Sequence, residues 1–259
     1  AYLMYEDHKR YVHDRGSFEP PEPNLPDNYN AENFQITRKF GETPEQDLIY
    51  QTGSVIKHET GAGSGLTPAR EFKLFTTKVP DINLLLEPFI NRVAKFSNAC
   101  LNRRCNGTIY FGVGDSCIPN CQLEHGQIVG IPLNKSQLDV FEDWIKDHFR
   151  GKRPYCYDRE DFSRAAVSMA ISPLYAIKTD EGRYILEIDV EPKSSFCKEI
   201  FFRVWYPEQY PIQGRPGRFE YKWESGYFVR EGPQNIRYSE TQIQIYLSKD
   251  FRVYVDERR

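Results

Sequence analysis

The sequence predicts a mixed α/β domain of the α+β kind, with a mixed β-sheet packed against helices. Two patterns carry that expectation. Short runs rich in β-branched and aromatic residues recur at Thr108 to Val113, Gln127 to Leu133, Tyr184 to Val190 and Ile200 to Tyr206. Between them, apolar residues fall at three- and four-residue spacings, as the buried stripe of an amphipathic helix requires. Strand-like and helix-like segments interleave without a repeat.

Composition agrees with a folded chain. The 259 residues are 39% hydrophobic and 27% charged, and they include 17 Phe, 17 Tyr and 3 Trp, which excludes a fully disordered protein. Lys and Arg number 34 against 37 Asp and Glu, a net charge of -3 at a pI near 6.0. No global attraction to phosphate follows, so a nucleic-acid site has to be a local patch. No apolar run approaches the roughly 18 to 20 residues that cross a bilayer. The opening AYLMYEDHKR carries charges where a signal peptide needs an apolar stretch. A soluble, cytoplasmic chain with no membrane partner is expected, and its six cysteines then read as reduced thiols.

The elements follow in order. Residues 1–45 are polar and broken by Pro20, Pro21, Pro23 and Pro26, an arm or linker ahead of a domain over 46–259. Gly61, Gly63 and Gly65 make the segment after His58 and Glu59 a loop. Glu71-Phe72-Lys73-Leu74 alternates as a half-buried strand does, with Glu71 and Lys73 on one face. Pro88 suits a first helical position, and Phe89, Val93, Phe96 and Cys100 form the stripe of a helix ending near Cys105-Asn106-Gly107. The Thr108 to Val113 strand puts Ile109, Phe111 and Val113 on one face and displays Asp115 in the turn beyond it. A strand over Gln127 to Leu133 and a helix from Ser136 to Phe149 come next, the helix using Leu138, Phe141, Trp144 and Ile145. The strands from Tyr184 and Ile200, and a third over Tyr227 to Arg230, complete the sheet.

Three constellations can carry chemistry. Glu59, Glu71 and Asp115 come from separate elements, and a few carboxylates so placed can hold a hard divalent cation such as Mg²⁺ against a phosphate; their plain alternative is a loop charge, a strand charge balanced by Lys73, and a turn former. Arg92, Lys95, Arg103 and Arg104 sit on one helix, with Arg92 and Arg103 eleven residues apart, close to three turns. Such a row can contact a nucleic-acid backbone, or it is the solvated flank of the helix. Cys105, Cys117, Cys121 and His125 offer four ligands of the kinds structural zinc accepts, the alternative being unliganded thiols on an inserted loop. The Gly112-Val113-Gly114 pair lacks the third glycine of a dinucleotide fingerprint, and neither H-E-x-x-H nor G-x-S-x-G occurs. Tyr206, Tyr210, Phe219, Tyr221, Trp223 and Tyr227 can stack on bases or pack a sheet.

Four segments, taken together, resemble one family. Arg70-Glu71-Phe72-Lys73, Asn106 to Asp115 (NGTIYFGVGD), Gly126-Gln127-Ile128-Val129-Gly130 and Phe228-Val229-Arg230-Glu231-Gly232 are similar in order and spacing to the Schlafen-type AlbA domain. The similarity extends to the version carried by the large sterile-alpha-motif proteins of the interferon response, the nine and nine-like pair, which has an E-T-G element ahead of its E-F-K strand. Here Glu59-Thr60-Gly61 precedes Glu71 by twelve residues. The resemblance covers roughly Gln51 to Ile236, and Ser116 to His125 reads as an insertion in it.

The resemblance implies a Schlafen/AlbA-like nucleic-acid-binding fold within a larger antiviral, innate-immunity protein. It also implies a Mg²⁺- or Mn²⁺-dependent endoribonuclease site cutting transfer RNA or another structured RNA. Glu59, Glu71 and Asp115 fall on its acidic triad, and Lys73 and Lys95 on positions that contact nucleic acid. On that expectation Lys73 neutralises the scissile phosphate or leaving group, while Arg92, Lys95, Arg103 and Arg104 hold the backbone. A non-catalytic sensor of double-stranded DNA or RNA is the alternative, and a third is an interaction module whose nucleic-acid activity has decayed. A homodimer is left open.

Overall fold

The computed structural model describes residues 34–56, 68–75, 82–115, 123–149, 160–192, 201–213 and 219–245. One compact unit runs from Gln35 to Arg259. Its elements are strand β1 (Ala69–Lys73), helix α1 (Asn83–Arg103), β2 (Gly107–Phe111), α2 (Lys135–Phe149), α3 (Glu160–Ala170), β3 (Tyr175–Lys178), β4 (Tyr184–Val190), β5 (Val204–Pro211), β6 (Phe219–Glu231) and β7 (Gln234–Tyr238). The class is mixed α+β with two sheets packed against helices. A four-stranded mixed sheet has the order β1-β2-β4-β3, and a three-stranded sheet has the order β5-β6-β7. β1 runs parallel to β2, with Glu71 opposite Ile109, and the other pairings between these seven strands are antiparallel.

Helix α1 is the central element because nearly every side of it is buried. Phe89, Val93, Phe96 and Cys100 pack as the spacing predicts, joining Ile109 and Phe111 of β2 and Leu186, Ile188 and Val190 of β4 in one core. Phe141 of α2 packs edge-on to Phe89 at 4.7 Å. Pro88 is not the first helical residue. It lies inside the helix, since Leu85 and Leu86 extend the buried stripe by a further turn. Helix α2 begins as expected, with a reciprocal cap: Asn134 Oδ1 accepts from the Gln137 N–H, and Gln137 Oε1 accepts from the Asn134 N–H.

A second stripe of α1 is polar and faces the smaller sheet. Asn91, Lys95, Asn98 and Asn102 recur at three- and four-residue spacing on one side of the helix. Asn102 Nδ2 donates to the carbonyls of Phe202 and Phe228, and Asn98 Nδ2 donates to that of Phe202. In return the Phe202 N–H donates to Asn102 Oδ1 and the Phe228 N–H to Asn98 Oδ1. Buried backbone groups of the smaller sheet are thereby satisfied by helix side chains.

Two expectations change. Val113 does not share the face of Ile109 and Phe111, because Gly112 adopts φ 91°, a conformation glycine takes without a Cβ penalty. The turn sends Val113 into a second core, with Phe72, Tyr110, Ile128 and Ile185, on the opposite side of the larger sheet. Gln127 to Leu133 is no continuous strand; it makes separate bridges from Gln127 to Val55, Ile128 to Val113 and Ile131 to Tyr184. The sequence also left α3, β3 and β7 unassigned, and β6 begins well ahead of the expected Tyr227 to Arg230 and ends one residue past it.

That second face buries charge. Glu187 and Asp189 of β4 are almost fully enclosed beside Thr108 and Tyr110. Arg38, from the segment assigned to the arm, reaches them: its guanidinium is bidentate to Asp189 at 2.7 and 2.8 Å and lies 3.0 Å from Glu187 Oε2. The Tyr50 hydroxyl donates to Glu187 Oε1 at 2.5 Å, and Thr108 Oγ1 donates to Asp189. Burial, opposed by the Arg38 charge and the Tyr50 hydrogen bond, pushes the Glu187 carboxyl up to about 7. Burial also raises the Tyr50 hydroxyl, which stays protonated and able to donate.

The pH dependence follows from the sign of that shift. Between the ordinary value of 4.5 and about 7 the native chain holds a proton on Glu187 that the unfolded chain has lost, so this contribution to stability falls as pH rises. Unfolding free energies of the chain and of Glu187→Gln, measured by urea titration from about pH 5 to about pH 8, test it. The difference between the two should move against the unmodified chain as pH rises, by up to about 3 kcal/mol, and a flat difference refutes the assignment. Asn102→Leu should cost several kcal/mol in the same assay, on the order of 1–3 per stranded group.

Candidate functional site

The open side of the polar helix stripe is a cleft of about 780 Å³ between β1, α1, β5 and the β6–β7 turn. Glu71 and Lys73 reach it from alternate positions of β1, as period-two geometry dictates. Asp115 reaches it from the turn after β2. Lys73 Nζ lies 3.3 Å from Glu71 Oε1 and 3.2 Å from Asp115 Oδ2, bridging the two acids. All three residues are mostly shielded from solvent, with side-chain exposures of 18%, 8% and 13% for Lys73, Glu71 and Asp115.

Two further residues complete the arrangement, and sequence reasoning did not single out either. Arg230, from β6, has its guanidinium over the Phe96 ring and pairs with Glu71 Oε2. Asn235 donates from Nδ2 to the same oxygen at 2.8 Å and accepts from Arg230 Nη1 at 2.9 Å. Both oxygens of Glu71 are thus engaged, one by a lysine from its own strand and one by groups from the other sheet. The available signal was Arg230 itself, a charged residue in the otherwise apolar run Tyr227 to Val229.

The basic row divides. Arg92 and Lys95 line the cleft. Lys95 is not a free flank residue: its ammonium lies 2.8 Å from Glu208 and over the Tyr206 and Phe228 rings. Arg103 and Arg104 lie at the far end of the helix, about 16 Å along the axis from Arg92. Arg104 takes a left-handed conformation at the helix end, donates to the Asn102 carbonyl and covers the Phe201 ring.

A hard divalent cation commonly takes one or two protein carboxylates and fills its shell with water or phosphate oxygens. Glu71 and Asp115 fit that demand, since their oxygens converge on one point, here taken by the Lys73 ammonium. Glu59 lies outside the described residues. Among those residues no group of three or more His, Cys, Asp or Glu gathers to hold a metal. Of the cysteine-histidine set, Cys105 is in the core on the α1 side of the larger sheet, whereas His125 packs edge-on to Phe72 on the opposite side. The structure does not bring those two together, and Cys117 and Cys121 lie outside the described residues. A hydrogen bond with Cys100, outweighing burial and aided by Arg230 and Arg103, lowers the Cys105 thiol; burial raises Cys100.

The charge balance is testable. Arg230→Met removes the buried guanidinium from Glu71, leaving Lys73 and Asn235 on that carboxylate, and should cost roughly 3 kcal/mol of stability, the lower end for a broken buried pair. Arg237→Met removes an exposed partner of Glu224 and should cost under about 1 kcal/mol. Equal losses in chemical denaturation would show that Arg230 does not compensate Glu71.

No family model matches the chain. It is 30% identical over 67% of its length to mouse sterile alpha motif domain-containing protein 9-like, covering 10% of that protein. The human 9-like protein is 28% identical over 61% of the chain, which again covers 10% of it. Human sterile alpha motif domain-containing protein 9 is 25% identical over 81%, and the chain covers 13% of it. The chain thus spans about a tenth of the length of these relatives, and over part of its own length it is homologous to sterile alpha motif domain-containing proteins 9 and 9-like.

Proposed function

We propose that this chain is the nucleic-acid-binding domain of a larger antiviral protein of innate immunity, and that its cleft is a metal-dependent endoribonuclease site for structured RNA, transfer RNA above all. The convergence of Glu71 and Asp115 on one cation position, beside Arg92 and Lys95 in the same cleft, carries this reading. Glu71 and Asp115 would hold Mg²⁺ or Mn²⁺, with Glu59 as the third acid. When bound, the ion supplies charge stabilisation and lowers the pKa of water. Lys73 leaves its bridging position to meet a phosphate oxygen, and Arg230 and Asn235 hold Glu71 aimed into the cleft. Arg92 and Lys95 hold the neighbouring backbone, Lys95 exchanging Glu208 for phosphate, with Arg103 and Arg104 extending the contact along the helix.

A second reading rests on a specific observation. Lys73 and Arg230 pair with Glu71 and Asp115, two cations to two carboxylates, which suits a non-catalytic sensor of double-stranded DNA or RNA whose acids are structural. Incubation of the folded chain with labelled transfer RNA or duplex DNA, with Mg²⁺, Mn²⁺ or EDTA, separates the two. On the nuclease reading, metal-dependent RNA fragments appear, and Asp115→Asn slows their formation by roughly 100-fold or more while binding is retained. Binding that weakens steeply with salt, with no cleavage under any metal, would replace the nuclease by the sensor.

A further inference from the structure

Helix α1 ends in a Schellman motif. Arg104 has φ 58° and ψ 39°, its N–H donates to the Leu101 carbonyl at 3.3 Å, and the Cys105 N–H donates to the Cys100 carbonyl at 3.1 Å. That motif brings the side chain just past the end against the one a turn inside it, usually as an apolar contact. Here both positions are cysteine. The two thiols are free and buried in the same core. Disulfides join Cα atoms roughly 4.4–6.8 Å apart, and the 3.1 Å hydrogen bond from the Cys105 N–H to the Cys100 carbonyl holds these two backbones close. Neighbours confine Cys100: a Cβ on Gly107 would stand 2.9 Å from its Sγ, so that glycine lets β2 pass directly beside the sulfur. Cys105 keeps 7% of its surface exposed while Cys100 has none. Cys105 is therefore the residue a small oxidant meets first, with Cys100 behind it in the same core.

We propose that Cys100 and Cys105 are a redox modification site, closing to an intramolecular disulfide when a peroxide reaches Cys105. The Cys105 thiolate attacks a peroxide oxygen, the O–O bond breaks, and a sulfenic acid forms as hydroxide leaves and takes up the thiol proton as water. The Cys100 sulfur then attacks the Cys105 sulfur. The S–S bond forms, the S–O bond breaks, and the hydroxide takes the Cys100 proton to leave as a second water. Two electrons pass from the thiol pair to one peroxide, and a dithiol reductant reverses the reaction. The bond would lock the end of α1, from which Asn98 and Asn102 hold the smaller sheet.

Peptide mapping tests this without any nuclease assay. Folded chain is treated with hydrogen peroxide, quenched with N-ethylmaleimide in denaturant and digested with trypsin, which cuts after Arg103 and Arg104 between the two cysteines. The expected product is a pair of peptides joined through Cys100 and Cys105, two hydrogens lighter than their sum, unlabelled at both sulfurs and separated by dithiothreitol. Replacing the other four cysteines, Cys117, Cys121, Cys156 and Cys197, by serine should leave that product in place, and Cys100→Ala in the unmodified chain should abolish it. Both sulfurs alkylated after peroxide, or a sulfinic acid at Cys105 with Cys100 still a thiol, would overturn the proposal. The same mapping on unmodified chain covers the case in which the four-serine variant does not fold.

Discussion

Much of this structure rests on the way one helix satisfies the backbone of a sheet. The smaller sheet meets α1 at Phe202 and Phe228, where buried amide and carbonyl groups require a partner in place of water. The Asn98 and Asn102 side chains take that place, each amide offering a donor and an acceptor to the strand backbone. An apolar side chain at either position would leave peptide groups dry and unpaired, which costs more than an ordinary hydrogen bond returns. The two asparagines thus set the distance and rotation between α1 and the smaller sheet.

That docking delivers the site. With β6 held against α1, Arg230 projects across the Phe96 ring to Glu71 on the larger sheet, and Asn235 follows from β7. The one turn of α1 that continues the polar stripe outward places Lys95 against Glu208 and the aromatic rings of β5 and β6. Each acid in the cleft therefore has a basic partner, and most partners come from a different element. A ligand entering there exchanges existing ion pairs for new ones, so charge complementarity governs its entry more than apolar area does.

The opposite face of the larger sheet solves a comparable problem with charge. Glu187 and Asp189 alternate with the apolar side of β4 and are enclosed beneath the segment carrying Arg38 and Tyr50. A single guanidinium serves both carboxylates, and burial opposes the ionised form of Glu187. Net stabilisation from such a cluster is modest, because desolvation offsets much of the attraction. Its geometric demand is strict, and it pins residues ahead of position 46 to the central strand.

Period and turn chemistry in the sequence by themselves determined the mixed class, helices α1 and α2, strands β1, β2 and β4, and the common face of Glu71 and Lys73. These are local properties, decided by side-chain alternation and by spacing along a helix. Asp115 beside that pair was legible through resemblance together with its place after a strand. Only the tertiary structure decided the partners. Pro88 entered the helix because earlier leucines had a core to fill, and Gln127 to Leu133 became scattered bridges because its neighbours lie on separate segments. Val113 changed faces at one glycine. Arg230 and Asn235 are more than 150 residues from Glu71 in the chain; no periodicity links them to it, since an ion pair between sheets depends on how the sheets dock. The same holds for Cys100 and Cys105 in a smaller way: their spacing is visible in the sequence, but the left-handed turn at Arg104 is what sets one sulfur against the other.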